Sequence, residues 1–158
     1  MFIVPDQIDL LRAFNAHEVE YLVVGGHAVN SYSEAVYTKD LDLWIRNDAA
    51  NSKRVFAALA EFGAPLAGMT SDDFCDKPGD YFQIGIEPDR IDILQSILSV
   101  SFEEAWPSSV TGHLAGVRVQ LLSPALLIRN KKAVGRPKDL AAVAAIEQFA
   151  AEAERKDT

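Results

Sequence analysis

The chain has 158 residues, 49% of them apolar and 24% charged, with a net charge of −8 and a single cysteine. That length and composition fit one globular domain over residues 1–158 with a sizeable core. They exclude an intrachain disulfide, a bilayer-spanning apolar run and a surface that attracts nucleic acid in general. The first residues, Met1-Phe2-Ile3-Val4-Pro5-Asp6, lack the basic-then-apolar order of a secretory signal, so a cytoplasmic location is expected.

In chain order, residues 6–18 carry Ile8, Leu10, Leu11 and Phe14 at the spacing of a short amphipathic helix. Tyr21-Leu22-Val23-Val24 is a β-prone run closed by glycine and reads as a buried strand. A short helix is expected from Gly26 to about Ser33. Leu41-Asp42-Leu43-Trp44-Ile45 alternates as a strand. Asn47 or Asp48 caps a helix that runs to Phe62 and stops at Gly63. Residues 64–80, rich in Gly, Pro and Asp, read as loop with one helical turn. Tyr81 to Ile86 and Arg90 to Leu94 read as two strands joined by the turn Glu87-Pro88-Asp89.

Phe102 to Trp106 fits a helical turn, and Val117 to Leu122 a strand. Ser123-Pro124 opens a helix with serine as cap and proline at the first position. Pro137 opens the last helix, about 137–154, whose Leu140, Val143, Ile146, Phe149 and Ala150 form an apolar stripe. Core packing is the first reading of that stripe and a homodimer contact the second. Strands interspersed with helices, plus one hairpin, predict an α/β fold with a mixed β-sheet flanked by helices.

Three stretches carry chemistry. Residues two apart on a strand share a face, so Asp40 and Asp42 point away from Leu41 and Leu43, their Cα atoms roughly 7 Å apart. Asp92, between Ile91 and Ile93, repeats the pattern. Aspartate is disfavoured in strands, and three crowded carboxylates repel one another unless a cation joins them. Oxygen ligands of this kind suit magnesium, and two ions bridged by carboxylates form the two-metal arrangement of phosphoryl transfer. Gly25-Gly26, between a strand and a helix, lets backbone approach an anion. Alone, that pair is better read as a tight turn; its place shortly before the acids gives it weight. Arg129, Lys131, Lys132, Arg136 and Lys138 crowd one stretch of an acidic chain. From charge alone a solvated basic turn is the stronger reading, with a small polyanion site second.

With those residues in hand, the chain resembles the DNA polymerase β-like nucleotidyltransferase superfamily. The signature of apolar-Gly-Gly, a spacer and Asp-apolar-Asp stands as Val24-Gly25-Gly26 and Asp40-Leu41-Asp42, with Asp92 as the later acid. Thr38-Lys39-Asp40-Leu41-Asp42-Leu43-Trp44, Arg90-Ile91-Asp92-Ile93-Leu94, Ile128-Arg129-Asn130-Lys131-Lys132 and Gly135-Arg136-Pro137-Lys138-Asp139 are similar to its small bacterial branch, related to abortive-infection and toxin-antitoxin nucleotidyltransferases. The likeness spans roughly residues 20–145.

The resemblance implies that Asp40, Asp42 and Asp92 hold two Mg2+ ions, and that Asp92 helps deprotonate an acceptor hydroxyl. It implies that Gly25 and Gly26 hold the triphosphate of an NTP substrate. Lys131, Lys132, Arg136 and Lys138 would contact phosphate or acceptor. The activity implied is transfer of an NMP from an NTP to RNA, a protein side chain or a small molecule. The alternative is a catalytically silent nucleotide-binding or partner-binding, antitoxin-like module of a toxin-antitoxin pair. Relatives often carry an arginine shortly before the Thr-Lys-Asp run, where this chain has Val36 and Tyr37. His17, His27 and His113 lack metal-ligand spacing, and His27 is expected to face solvent at a helix start.

Overall fold

The computed structural model describes residues 3–34 and 38–156, so Val36 and Tyr37 lie outside the described residues. Thirteen elements follow in order, beginning with α1 (Pro5–Ala16), β1 (Tyr21–Val24), α2 (Gly25–Ser31), β2 (Leu41–Ile45) and α3 (Ala49–Phe62). A 3-10 turn (Ser71–Phe74), β3 (Tyr81–Ile84), β4 (Ile91–Leu94) and α4 (Phe102–Ala105) come next. The chain closes with β5 (Val110–Leu114), β6 (Val117–Leu121), α5 (Pro124–Val134) and α6 (Pro137–Lys156).

Local chemistry sets the boundaries. The Asp48 carboxylate accepts the Asn51 N–H at the start of α3, and Gly63 ends that helix in the left-handed region at φ 93°. Ser123 caps α5 by accepting the Leu126 N–H, and Pro124 occupies its first turn. Gly135, at φ 74°, separates α5 from α6.

The strands form one six-stranded sheet in the order β3-β4-β2-β1-β6-β5. The sheet is mixed: β2 and β4 run parallel, as do β1 and β6, whereas β1/β2, β3/β4 and β5/β6 are antiparallel. β5 is absent from the sequence expectations. Val110-Thr111-Gly112-His113-Leu114 has little apolar alternation, is mostly exposed, and is defined by its ladder to β6.

Register assigns each residue to a face. Tyr21, Val23, Leu41, Leu43, Ile45, Ile91 and Ile93 share one face, buried under α1 and α3. Phe14 of α1 meets Tyr21 edge-on at 5.4 Å. Leu22, Val24, Asp42, Trp44, Asp92 and Leu94 share the other. That second face is apolar at one end, where Trp44 meets Phe102 of α4 at 5.0 Å, and acidic at the other.

The stripe on α6 divides. Val143 and Ile146 are buried together with Ala142, while Leu140 is 50% and Phe149 37% exposed. The seam against the body therefore follows 139, 142, 143 and 146, a narrower helical face than the expected stripe. Among the described residues, no helix is long and apolar enough to cross a membrane.

Candidate active site

Topology brings three distant segments to one point. β1 ends at Val24, which is the register partner of Asp42 in the neighbouring antiparallel strand. Asp42 in turn pairs with Asp92 across the parallel β2/β4 ladder. The Gly25-Gly26 turn therefore begins beside the two acids. Gly25 has φ 66°, and a Cβ there would lie 2.1 Å from Asp42 Oδ2. A Cβ on Gly26 would lie 2.5 Å from the Thr38 side chain. The glycine pair is thus required by the close approach of Asp42 and Thr38, a reason the sequence alone does not show.

Asp42 and Asp92 form a strained electrostatic pair. Burial, the Asp92 charge and a carboxyl–carboxyl hydrogen bond with Asp92 push the Asp42 carboxyl up to about 7. The Lys131 charge pulls it down and the Asp40 charge pushes it further up. Asp92 lies on the face opposite Ile91 and Ile93, as its strand pattern predicts, and packing against Asp42 leaves it only 8% exposed. Its Oδ1 receives no hydrogen bond.

Asp40 departs from the expected strand interior. It sits one residue before β2, where its Oδ1 accepts the backbone N–H of Arg90 at 3.0 Å. Arg90 lies at the entrance to β4, and the expected strand from Arg90 begins at Ile91. Its side chain spans the acids: Nε donates to Asp92 Oδ2 at 3.3 Å, Nη2 lies 3.7 Å from Asp40 Oδ2, and Nη1 lies 3.2 Å from Glu87 Oε1. Among the described residues, no three His, Cys, Asp or Glu side chains already stand in a metal-coordinating group.

Gln7 is a further residue that sequence reasoning missed. Fully buried on α1, it donates through Nε2 to the carbonyl oxygens of Lys39 at 2.6 Å and Asp89 at 3.4 Å. It ties the segment before Asp40 to the β3–β4 turn. No sequence signal marks it, because the partners lie 32 and 82 residues away.

The basic stretch disperses. Lys131 is the member whose charge acts on Asp42; its side chain is 15% exposed and Nζ lies 3.4 Å from Asp139 Oδ1. Lys132 turns to Glu147 on α6 at 4.0 Å, and Arg129 pairs with Glu104. Arg136 binds Asp139 through Nε at 2.6 Å and Nη2 at 3.2 Å. Lys138 is exposed at the start of α6.

His27 is buried, not solvent-facing, because α2 turns its first face against the sheet. Burial holds its pKa below the ordinary histidine value, opposed by the Asp40 charge. Ser31 and Ser33 donate their hydroxyls to the backbone oxygens of His27 and Val29, each at 3.0 Å, so neither is poised as a nucleophile.

The acids fit a divalent cation. A half-buried and a buried carboxyl stand side by side, burial and the Asp92 charge push the Asp42 carboxyl up to about 7, and Asp92 Oδ1 accepts no hydrogen bond, with Arg90 Nε 3.3 Å away. A cation would relieve these costs. Asp42 and Asp92 are the residues that would hold it, with Asp40 beside them.

No family model matches the chain, and no curated protein matches it by sequence. Solved structures do. The lincosamide antibiotic adenylyltransferase LnuA, bound to lincomycin, superposes with a TM-score of 0.59 at 13% identity, covering 94% of this chain and 99% of LnuA. TM1012 of Thermotoga maritima, assigned as a nucleotidyltransferase, gives 0.58 at 12% identity over 90% and 92% of the two chains. ANT(2'')-Ia, complexed with adenylyl-2''-tobramycin, gives 0.55 at 16% identity over 96% of each chain. The sheet order, the flanking helices and these superpositions give this chain the nucleotidyltransferase fold.

Proposed function

We propose that this protein is a magnesium-dependent nucleotidyltransferase that moves an NMP from an NTP to the hydroxyl of a small-molecule acceptor, releasing pyrophosphate. One observation carries the reading: Asp42 and Asp92 meet in register beside the Gly25-Gly26 turn, with the Asp42 carboxyl raised to about 7 by burial and by the Asp92 charge.

Each residue has a part in that reaction. Asp42 and Asp92 would hold the divalent cations, with Asp40 beside them. Mg2+ there would supply Lewis-acid stabilisation of the attacking and departing oxygens. Asp92, whose Oδ1 accepts no hydrogen bond, takes the proton of the acceptor hydroxyl as that oxygen attacks the α-phosphorus. Lys131 neutralises charge on the triphosphate as pyrophosphate leaves. The Gly25-Gly26 turn, bare of side chains, lets Asp42 and Thr38 pack against the backbone and would present that backbone to the triphosphate. Lys132, Arg136 and Lys138 are second-rank phosphate contacts, since Lys132 and Arg136 are already paired with carboxylates.

A small acceptor suits the molecule better than RNA. The net charge is −8, and the basic stretch is divided among acidic partners. Two neighbours of the fold were solved with lincomycin and an adenylylated tobramycin. A cavity of about 380 Å³ lined by Thr38, Lys39, Asp40, Glu87 and Pro88 opens beside the acids and is the natural acceptor space. One observation favours the second reading, a silent partner-binding module: Arg90 already bridges Asp40 and Asp92.

The two separate when the protein is incubated with each α-phosphate-labelled NTP, Mg2+ and a panel of hydroxylated small molecules. The enzyme labels an acceptor, and Asp42→Ala lowers the rate by about a thousandfold or more, the scale for losing one member of a catalytic unit. Absence of transfer with every NTP and acceptor, in wild type and variant alike, sides with the silent module.

A further inference from the structure

The carboxylate cluster has a cation of its own. Arg90 precedes Asp92 by two residues, so its side chain rises on the same side of the strand line. It reaches three acids at once, yet none closely: 3.3 Å to Asp92, 3.7 Å to Asp40 and 3.2 Å to Glu87. Charge-assisted N–H···O bonds run at about 2.7–2.9 Å when they are tight. Arg136 shows what such a bond looks like in this protein, at 2.6 Å to Asp139. Arg90 is therefore shared, not locked. Its ion pairs are with Asp92, Asp40 and Glu87, and Asp42 is not among them. The third partner, Glu87, differs from the other two. It lies on the β3–β4 turn with a side chain 68% exposed, three residues from Arg90.

We propose that Arg90 is a displaceable counter-cation that competes with the divalent cation for Asp40 and Asp92, and that Glu87 is the site onto which it withdraws. The inference rests on the nucleotidyltransferase reading of the same acids. Without metal, the guanidinium keeps Asp40 and Asp92 from repelling each other and holds the entrance of β4 against β2. When a divalent cation binds, the guanidinium moves outward and stays paired with Glu87, so no charge is left bare. The two partners of Arg90 should then act with opposite sign. Removing the Arg90 charge removes the competitor, and removing the Glu87 charge removes the place to withdraw to.

The test is Mn2+ binding to the full chain without nucleotide, read by the loss of the free-ion paramagnetic resonance signal, with thermal melting alongside. Arg90→Gln keeps length and an amide donor without the charge. It should bind Mn2+ about tenfold tighter, within the range of coupling between two ligands of one site, and melt lower than wild type only when metal is absent. Glu87→Gln changes an exposed residue and leaves folding intact; it should bind Mn2+ about threefold more weakly, the scale of an exposed ion pair. Equal or weaker binding by Arg90→Gln, or equal or tighter binding by Glu87→Gln, overturns the exchange while leaving the enzyme reading in place. A wild-type protein that binds no Mn2+ at all overturns both.

Discussion

Two aspartates in this molecule, one buried and one half-buried, have opposite fates. Asp139, 1% exposed at the α5–α6 joint, accepts hydrogen bonds from Arg136 and lies against Lys131. The Arg136 hydrogen bond, aided by Lys131, holds its carboxyl below the ordinary range. Asp42 lies on the sheet with a second carboxylate against it, and burial with that neighbour raises it to about 7. The first is an acid that the fold has neutralised with its own cations. The second is an acid that burial and a like-charged neighbour push upward, with no hydrogen-bonded cation of its own among the described residues. Lys131 stands between the two, touching Asp139 and acting on Asp42. Where a protein supplies the counter-charge itself, the residue serves as a joint; where it withholds it, the position is ready for something that comes from outside.

The sharpest way to break the acidic region is to crowd it. Gly25→Ala forces a side chain onto a φ of 66° and 2.1 Å from Asp42 Oδ2. A loss of about 3 kcal/mol in chemical denaturation is expected, combining backbone strain with a displaced carboxylate. Transfer should fall further than stability does, because the displaced group is a proposed metal ligand.

The same substitution at the two acids should then have opposite signs. Asp139→Asn leaves Lys131 and Arg136 facing each other across a buried amide, and should destabilise by about 2 kcal/mol at neutral pH. Its carboxyl is depressed in the fold, so the stability it contributes is present above the unfolded pKa and is lost as pH falls through the folded one.

Asp42→Asn should stabilise the metal-free protein by about 1 kcal/mol at pH 8, relieving a charge the fold disfavours. The folded pKa of Asp42 exceeds its unfolded value. Its contribution is therefore full below 3.8 and fades as pH rises to about 7. Melting curves without metal should show wild type losing stability across that interval, and Asp42→Asn losing less. Added Mg2+ should restore wild type and not the variant.

How much of this is legible in the sequence depends on the range of the interaction that decides it. β1 and β2 match their expected bounds because Tyr21–Val24 is uninterrupted apolar chain ended by glycine and Leu41–Ile45 alternates cleanly. The caps at Asp48 and Ser123 and the stop at Gly63 act within a turn or so and are equally plain. β5 escapes notice because an exposed edge strand is fixed by its neighbour, not by burial. At the site, the acids and glycines announce themselves through unusual residue types in strand context. Their close packing, Gly25 against Asp42, does not. Nor do Gln7, which acts 32 and 82 residues away, or Arg90, whose Asp40 partner lies 50 residues back. The basic stretch shows the reverse error of local reading: of its cations, Arg129 goes to Glu104, Lys132 to Glu147, and Lys131 and Arg136 to Asp139, while the Lys131 charge also acts on Asp42.

The most direct measurement is the stoichiometry of the reaction itself. With an α-labelled NTP, Mg2+ and a labelled acceptor in hand, pyrophosphate released and NMP-adduct formed should rise one for one, and both should vanish in Asp42→Asn. Orthophosphate in place of pyrophosphate, or undiminished turnover by Asp42→Asn, would contradict the assignment of this acid pair to nucleotidyl transfer.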